Sequence, residues 1–407
     1  MLQLFKLARR NIWRNKRRTI ITVCSILFAV FFATFMKSMQ KGTWDNVVNS
    51  VVSNFFGYAQ IHEKGYWEDL SLNKSMEFNQ ALQNLADSQE DIQAVVPRLE
   101  SFALGSHGVK TKGVLVIGID PVKEDALTQL SKKITAGTYF GENSEGAIIA
   151  AGLADYLKIT VGDTLVMIGQ GFRGVNAAGK YVVEGLVEFG SPELNDGMVY
   201  LPLDRAQYLY GAEGRITNLI VDTNRPKQVK EIVANLKNTI GTEKYEVMDW
   251  EELIPDLVSA RQIDSAGGAL FLNILYILIS FGIFGTLLMM LKERQYEFGV
   301  LLSIGMKKWQ IFLMLWFETM VLAAIGVLAG ILSALPLVYY LYANPVALTG
   351  DMATAYDSFG IEAVVTAAFE HGVFIQQGIT IFVIVSILSL YPFFKIRSLH
   401  PVKAMRQ

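Results

Sequence analysis

The sequence predicts an α-helical membrane protein with four transmembrane helices and a large α+β extracytoplasmic domain that contains a β-rich inserted subdomain. The 407 residues are 52% hydrophobic and only 18% charged, which is apolar for a soluble protein. Four stretches reach the roughly 20 apolar residues that a helix needs to cross a bilayer. The long segment 39–267 between the first two has a mixed pattern and is large enough for a folded domain.

The predicted transmembrane helices cover residues 19–38, 268–291, 311–341 and 372–394. The third stretch is over-long and contains Pro336, so we expect it to kink or leave the membrane near that residue. It also contains Glu318. An acid at membrane depth faces protein or marks function, although a position close to the interface, one to two turns after Trp309, is the alternative.

Basic residues predict the orientation. Residues 1–18 carry seven bases, no acid and interleaved apolar side chains, which is typical of an amphipathic helix on the cytoplasmic membrane face. A signal peptide is the alternative, but the following apolar run is long for one and no small-residue cleavage pattern follows. The expectation is an uncleaved first span.

The remaining connections give the same orientation. The tail 395–407 has four bases and no acid, whereas the link 342–371 has four acids and no base. By the positive-inside rule, both termini and the loop 292–310 are cytoplasmic, and the link and the segment 39–267 are extracytoplasmic.

Strand and helix patterns alternate within the segment 39–267. A strand-rich stretch at about 138–211 predicts the β-rich insert, and helical stalks are expected at 43–55 and 250–260, next to spans one and two. Strands are expected at 114–119, 147–150, 165–168, 181–189 and 198–201, helices at 78–87, 152–158 and 226–240, and a turn at 105–108.

The loop 292–310 is unusual for a short link between two spans. It begins with the charged residues Glu293, Arg294 and Glu297, and continues as a short apolar helix candidate, 300–304, bracketed by Gly299 and Gly305. Glycines fit the ends of a short helix, where the chain turns or packs closely. The pattern suits a docking element, and an ordinary juxtamembrane loop remains open as the alternative.

One motif resembles a nucleotide site. Residues 174–180 match GxxxxGK, but Tyr181 stands where a P-loop has Ser or Thr, and a strand-like run follows instead of a helix. We therefore interpret it as the tip of a glycine-rich hairpin. Phe172 and Arg173 at this tip are candidates for contact with a cargo or partner.

The remaining chemistry-bearing residues predict no enzyme. The sequence lacks GxSxG and HExxH motifs, Cys24 is the lone cysteine, and the four histidines show no ligand spacing. The net charge of −2 makes no case for nucleic acid. We expect no catalytic, cofactor-binding or metal-binding residue in this chain.

Two segments carry a family resemblance. The loop KERQYEFGVLLSIG (292–305) and the tail PFFKIRSLHPVKAMR (392–406) resemble the MacB/LolC/LolE/FtsX family of ABC transporter permeases, and residues 148–163 are similar to part of its extracytoplasmic domain. The resemblance implies a permease that pairs with a second, identical or different, permease chain and binds a cytoplasmic ATPase dimer. Five residues fall on the coupling helix that docks on the ATPase: Glu293, Arg294, Glu297, Gly299 and Gly305.

The layout looks closest to LolC and LolE. That likeness implies an inner-membrane protein that contacts lipid and releases lipoproteins, with ATP bound by the partner and with a lipoprotein or periplasmic chaperone as a further partner near 169–180. Efflux of another amphiphilic substrate or peptide, or FtsX-like regulation of a cell-wall hydrolase, are the alternatives.

Overall fold

The computed structural model describes residues 16–85, 91–189, 192–350 and 363–398. They belong to two compact units. The helical unit comprises Met1–Asp45, Ala260–Ala347 and Val364–Gln407, and the sheet unit comprises Asn46–Ser259 and Leu348–Ala363. Most of the predicted N-terminal helix 1–18, the tail from residue 399 and residues 351–362 of the link lie outside the described residues.

The described chain contains long helices at both ends and short ones between them. In chain order the helices are α1 Lys16–Val51, α2 Tyr66–Asp69, α3 Gln80–Gln83, α4 Pro121–Thr128, α5 Ala151–Leu157, α6 Pro192–Gly197, α7 Leu203–Tyr210, α8 Val229–Ile240, α9 Trp250–Leu253, α10 Pro255–Glu293, α11 Gln295–Ser303, α12 Lys308–Ala343, α13 His371–Leu388 and α14 Tyr391–Arg397. A π-helical turn, Val52–Phe56, follows α1.

The strands are mostly in the central part of the chain. They are β1 Ala59–Glu63, β2 Met76–Glu77, β3 Ile92–His107, β4 Lys110–Ile119, β5 Ile134–Gly137, β6 Ala147–Ala150, β7 Thr164–Gln170, β8 Asn176–Val187, β9 Met198–Pro202, β10 Arg215–Ile216, β11 Asn218–Thr223, β12 Tyr245–Asp249, β13 Val346–Ala347 and β14 Val364–Val365.

Four helical segments among the described residues are long and apolar enough to cross a membrane. Three are α1, α10 and α12, and the fourth consists of α13 followed by α14. They contain the four predicted spans, with two differences. The helix α12 continues through Pro336 to Ala343 and does not end near the proline; membrane helices tolerate proline because their surroundings satisfy the freed backbone group. The fourth span is interrupted at Ser389–Leu390, and Pro392 occupies the first turn of α14, where its missing N–H costs nothing.

Two glycines let α12 approach α1 closely within the helical unit. A Cβ added at Gly326 would lie 2.7 Å from the Ile26 Cβ, and one at Gly330 would lie 2.7 Å from the Val30 Cβ and 2.8 Å from the Leu27 carbonyl oxygen. Small residues at such positions permit the tight packing on which membrane helices rely.

Replacement of Gly330 by valine is expected to lower the apparent melting temperature of the full chain in detergent. The added side chain meets backbone as well as a side chain, and overpacking of this kind costs about 1–3 kcal/mol. Gly282→Val is the matched control, because nothing lies within 4 Å of a Cβ added there. If both variants melted with the parent, tight packing at Gly330 would be excluded.

Polar contacts also connect α1 to other helices of this unit. Asp264 of α10 accepts hydrogen bonds from the Trp44 indole at 2.6 Å and from the Gln40 amide at 3.1 Å. Lys41 donates to Glu370, immediately before α13, at 2.7 Å. The region of α1 that follows the first predicted span is therefore held to two further helices.

The sheet unit is built on a ten-stranded mixed sheet. Its strand order is β12-β1-β11-β3-β4-β9-β6-β8-β5, and β7 pairs with both β3 and β8. The pairs β4–β9 and β6–β8 are parallel and the others antiparallel. The predicted β-rich stretch corresponds to β6–β9, and because β9 pairs with β4 and β7 with β3, its strands continue the main sheet.

Several local predictions differ from the structure. The turn expected at 105–108 lies at Gly108, whose φ of +58° favours glycine, while 105–107 continue β3. The strand expected at 181–189 begins earlier, at Asn176. The helix expected at 78–87 is the short α3 in its described part. The stalk at 250–260 is interrupted at Ile254, whose backbone leaves the helical region (φ −128°, ψ 66°) because the residue before a proline, here Pro255, is disfavoured in the helical conformation.

Candidate functional site

The predicted docking loop contains a regular helix, α11, between the two long helices α10 and α12. The helix begins at Gln295, so Gly299 lies buried inside it and does not bracket its start as predicted. Gly305 ends the turn with a φ of +99°, and the N–H groups of Gly305 and Met306 donate to the carbonyls of Leu302 and Leu301. This pattern is a helix terminus that favours glycine.

Arg294 joins α11 to the adjacent span. Its Nη1 donates to Glu318 Oε2 at 2.7 Å, and its Nε donates to Glu297 Oε2 at 3.0 Å. Glu318, in α12, is 0% exposed and Arg294 is 5% exposed. This acid therefore faces protein and pairs with a base from the loop, which reduces the cost of its burial. Its depth in the membrane, including the interfacial alternative, stays a prediction.

The burial of Arg294 and Phe298 determines which loop residues can contact another protein. Arg294 is enclosed, with its guanidinium 5.4 Å from the Phe298 ring, and Phe298 is fully buried. These two side chains hold α11 in place and present little surface. We call the contact of Arg294 with Glu318 and Glu297 the loop brace.

An outward surface remains beside the brace. Glu293 and Gly305 are exposed and Glu297 is half-exposed. The apolar part of this surface was not predicted from the sequence, although apolar side chains in a charged loop were a signal for it. Ile304 is 78% exposed, and Tyr296 and Trp309 are more than half exposed. We call Glu293, Tyr296, Glu297, Ile304 and Trp309 the loop surface.

The hairpin tip between β7 and β8 is less open than predicted. Phe172 is half-buried, and its ring lies under the Arg215 guanidinium at 4.6 Å and the Arg173 guanidinium at 5.0 Å. The Arg173 N–H donates to Asn73 Oδ1 at 2.7 Å. Phe172 is therefore committed to cation–π contacts, whereas the Arg173 side chain is exposed.

The P-loop-like segment is not a phosphate-binding loop in geometry. Residues 176–180 form the start of β8, paired with β7 from Gln170↔Asn176 onwards. A hairpin is confirmed, but its tip is residues 171–175, and most of the predicted segment 174–180 lies in β8. Among the described residues, no three His, Cys, Asp or Glu side chains are grouped so that they could hold a metal ion.

A buried charge cluster in the sheet unit was missed by the sequence analysis. Arg98 of β3 is fully buried and donates to both Glu124 oxygens, from Nε at 2.9 Å and from Nη2 at 2.6 Å. Its Nη1 donates to the Phe55 carbonyl at 2.8 Å, at the end of the π-helical turn after α1. A base inside an apolar strand was the available signal, but its partner is not evident from the sequence.

Burial and pairing act on the pKa values in this cluster. Burial alone would lower the pKa of Arg98, but the carboxylates of Glu124 and Glu100 raise it above its ordinary value. Burial raises the pKa of Glu100, and the positive charge of Arg98 opposes that rise. The guanidinium therefore remains charged and holds Glu124 in place.

The fold and the loop match one known class of membrane protein. Residues 19–239 match the model of the MacB-like periplasmic core domain, and residues 269–401 match the FtsX-like permease C-terminal domain. The first match alone covers more than half of the chain. The chain belongs to the MacB/FtsX-like permease family.

Individual relatives are distant. The pyoverdine export ATP-binding/permease protein PvdT of Pseudomonas syringae pv. tomato is 24% identical over 91% of this chain, which spans 57% of that relative's length. The uncharacterized ABC transporter permease YknZ of Bacillus subtilis is 21% identical, over 81% of this chain and 85% of the relative.

Solved structures of related domains also match. The periplasmic region of MacB from Actinobacillus actinomycetemcomitans is 16% identical and covers 54% of this chain and 95% of its own, with a TM-score of 0.37. The extracellular domain of YknZ is 17% identical and covers 47% of this chain and 99% of its own, with a TM-score of 0.35.

Proposed function

We propose that this chain is the membrane subunit of an ABC transporter and transmits motion from a cytoplasmic ATPase to its extracytoplasmic domain. A pair of permease chains would bind an ATPase dimer, with the termini and α11 on the cytoplasmic side. The positive-inside pattern supports this orientation. The strand geometry of residues 176–180 supports nucleotide binding by the partner and not by this segment.

The observation that carries this proposal is the loop brace. A docking helix can transmit force only if it is fixed to the element it moves. Arg294 connects α11 to the buried Glu318 of α12 through a charge-assisted hydrogen bond of 2.7 Å, which is among the stronger contacts available to a protein. Displacement of α11 by the ATPase would therefore be passed to α12.

Helical continuity supplies the next step. The helix α1 continues beyond the first predicted span to Val51, and α10 begins at Pro255, before the second. Asp264 and Glu370 hold this part of α1 to α10 and to the start of α13. Motion of the spans would then reach the chain segments that lead into the sheet unit.

For the cargo we propose a lipoprotein released from the inner membrane. In this proposal the membrane helices pass motion to the sheet unit, and the P-loop-like segment of that unit is a strand and not a nucleotide site. Such an arrangement suits a subunit that works on a cargo outside the bilayer. Export of a small amphiphilic compound is the second candidate, since the relative from Pseudomonas syringae is named a pyoverdine exporter. A pull-down in mild detergent and an ATPase assay decide between them. Retention of a lipid-modified protein in the pull-down supports the first candidate. Stimulation of ATP hydrolysis only by a small compound supports the second.

Replacement of Glu297 by lysine is expected to detach or uncouple the ATPase while the chain stays folded. The substitution reverses a charge on the loop surface, where the Glu297 side chain is 39% exposed, and Arg294 keeps its buried partner Glu318, so the chain should stay folded. Retention of the ATPase on the tagged permease, cargo-stimulated ATP hydrolysis and the melting temperature are measured together.

Glu297→Gln is the matched control, because it keeps a hydrogen-bond acceptor for Arg294. We expect this variant to retain the ATPase. Unchanged retention and stimulation in the lysine variant would remove the docking role of α11. A large drop in its melting temperature would show that the brace and not the surface had been damaged.

A further inference from the structure

A partly enclosed cavity of about 160 Å³ lies in the sheet unit. Its size compares with that of a cavity of roughly 150 Å³ that accommodates a benzene ring. Five aromatic side chains line it, and Phe102, at 59% exposed, lies on the open side. The aromatic residues are Phe55, Phe56, Tyr66, Trp67 and Phe102, and the lining also includes Glu100.

A set of hydrogen-bonded side chains holds two aromatic residues of the cavity wall in place. The ring of His62 stacks against the rings of Tyr66 and Trp67, with both centroid distances at 5.5 Å. His62 Nε2 donates to Gln60 Oε1 at 2.8 Å, and Asn218 Nδ2 donates to the same oxygen at 3.2 Å. Burial lowers the pKa of His62 to about 4, so the ring is neutral and brings no competing positive charge.

One polar atom of the wall lacks a partner. Asn218 lines the cavity and is 1% exposed. Its Oδ1 accepts no hydrogen bond from any residue within the described ranges. An unsatisfied buried acceptor is costly and calls for a donor from a bound molecule or water.

One carboxylate is part of the wall. Arg98 donates to both oxygens of Glu124, and its Nη1 lies at the longer distance of 3.8 Å from Glu100 Oε1. Glu100, which lines the cavity, is therefore the acidic group that a bound cation would face. Aromatic faces add further attraction for a cation.

We propose that this cavity binds an alkylammonium group. The aromatic walls hold the methyl or methylene groups, Glu100 supplies the opposite charge, and where the ligand carries an N–H or O–H group, Asn218 Oδ1 accepts it. This inference does not depend on the proposed transport function, because binding requires neither the ATPase nor a cargo.

Choline is the probe for the full chain in a maltoside detergent, with 3,3-dimethyl-1-butanol as its uncharged counterpart of the same shape. Saturation-transfer NMR on the ligand methyl protons reports binding. We expect choline to bind about tenfold more tightly than the alcohol, within the range for cation–π attraction at a partly desolvated site.

Two variants remove different parts of the site. Glu100→Gln removes the charge, and Trp67→Leu removes one aromatic wall without changing any charge. Both are expected to weaken choline binding at least fivefold. Glu145→Gln is the matched control, because that carboxylate is exposed and lies outside the cavity. Melting temperatures confirm that each variant is folded, and Trp67→Leu carries the test if Glu100→Gln does not fold.

The proposal is overturned if choline gives no saturable signal, if the alcohol binds equally well, or if both variants bind choline like the parent. A soluble short-chain phosphatidylcholine separates two sources of the group. Its competition with choline would identify a lipid headgroup as the ligand. Choline binding without competition would identify a free alkylammonium compound.

Discussion

Replacement of Glu318 by leucine is expected to destabilise the helical unit by about 3 kcal/mol and to reduce cargo-stimulated ATP hydrolysis. Removal of one partner from a buried ion pair typically costs roughly 3–5 kcal/mol, because the other charge remains buried. The lower value applies here, since Glu297 still accepts from Arg294 Nε. Hydrogen exchange of peptides from α11 measures the first effect, because local opening exposes its amides.

The functional effect of this variant should differ in kind from that of the surface charge change Glu297→Lys. With the brace broken, α11 could still bind the ATPase but would pass less motion to α12. Coupling between two sites typically amounts to about 5–150-fold, and we expect a loss within that range with the ATPase still retained. Glu297→Lys is expected to give the reverse pattern, with retention lost and stability kept.

The double variant Arg294→Met with Glu318→Leu tests the mechanism of the destabilisation. Replacement of a whole buried pair by apolar residues is often neutral or stabilising, so protection of α11 should return while coupling stays impaired. Glu293→Gln is the control for stability, because that side chain is exposed. Normal exchange in Glu318→Leu would contradict the brace.

The span positions and the loop were predictable because each depends on local composition. Residues 19–38 and 268–291 can be assigned to helices from their apolar length and basic flanks alone, because the assignment does not depend on any tertiary contact. Gly305 likewise marked a helix end by its own conformational freedom. The match of the chain to both family domains confirms the family resemblance that the loop and tail indicated.

The partners of charged residues were not predictable, because they depend on tertiary contacts. Glu318 lies 24 residues from Arg294, and nothing in the sequence links the two. The same reason explains Phe172, whose ring is covered by Arg215 from a different part of the chain. The expected kink or membrane exit at Pro336 stays a prediction; α12 continues as a helix through this residue, and membrane helices accept proline more readily than helices in water do.

Replacement of Arg98 by methionine is expected to destabilise the sheet unit by roughly 3–5 kcal/mol, since it leaves Glu124 and Glu100 buried without their shared cation. Methionine keeps much of the side-chain volume, so the loss is mainly electrostatic. Hydrogen exchange of peptides from β3 and β4 in the full chain measures it. Arg225→Met is the matched control, because the pair of Arg225 with Asp91 is largely exposed and should contribute less than about 1 kcal/mol.

The pH dependence of this deficit separates an electrostatic cause from a packing cause. Burial already raises the pKa of Glu100 in the presence of Arg98, and loss of the guanidinium raises it further. A carboxyl with a raised folded-state pKa binds its proton more readily in the folded protein, so it lowers stability as pH rises through its unfolded value. The deficit of Arg98→Met should therefore shrink as the pH falls from about 7 towards 5. A deficit that is constant over this interval would assign the role of Arg98 to packing and to its hydrogen bond with the Phe55 carbonyl, and not to the charges of Glu100 and Glu124.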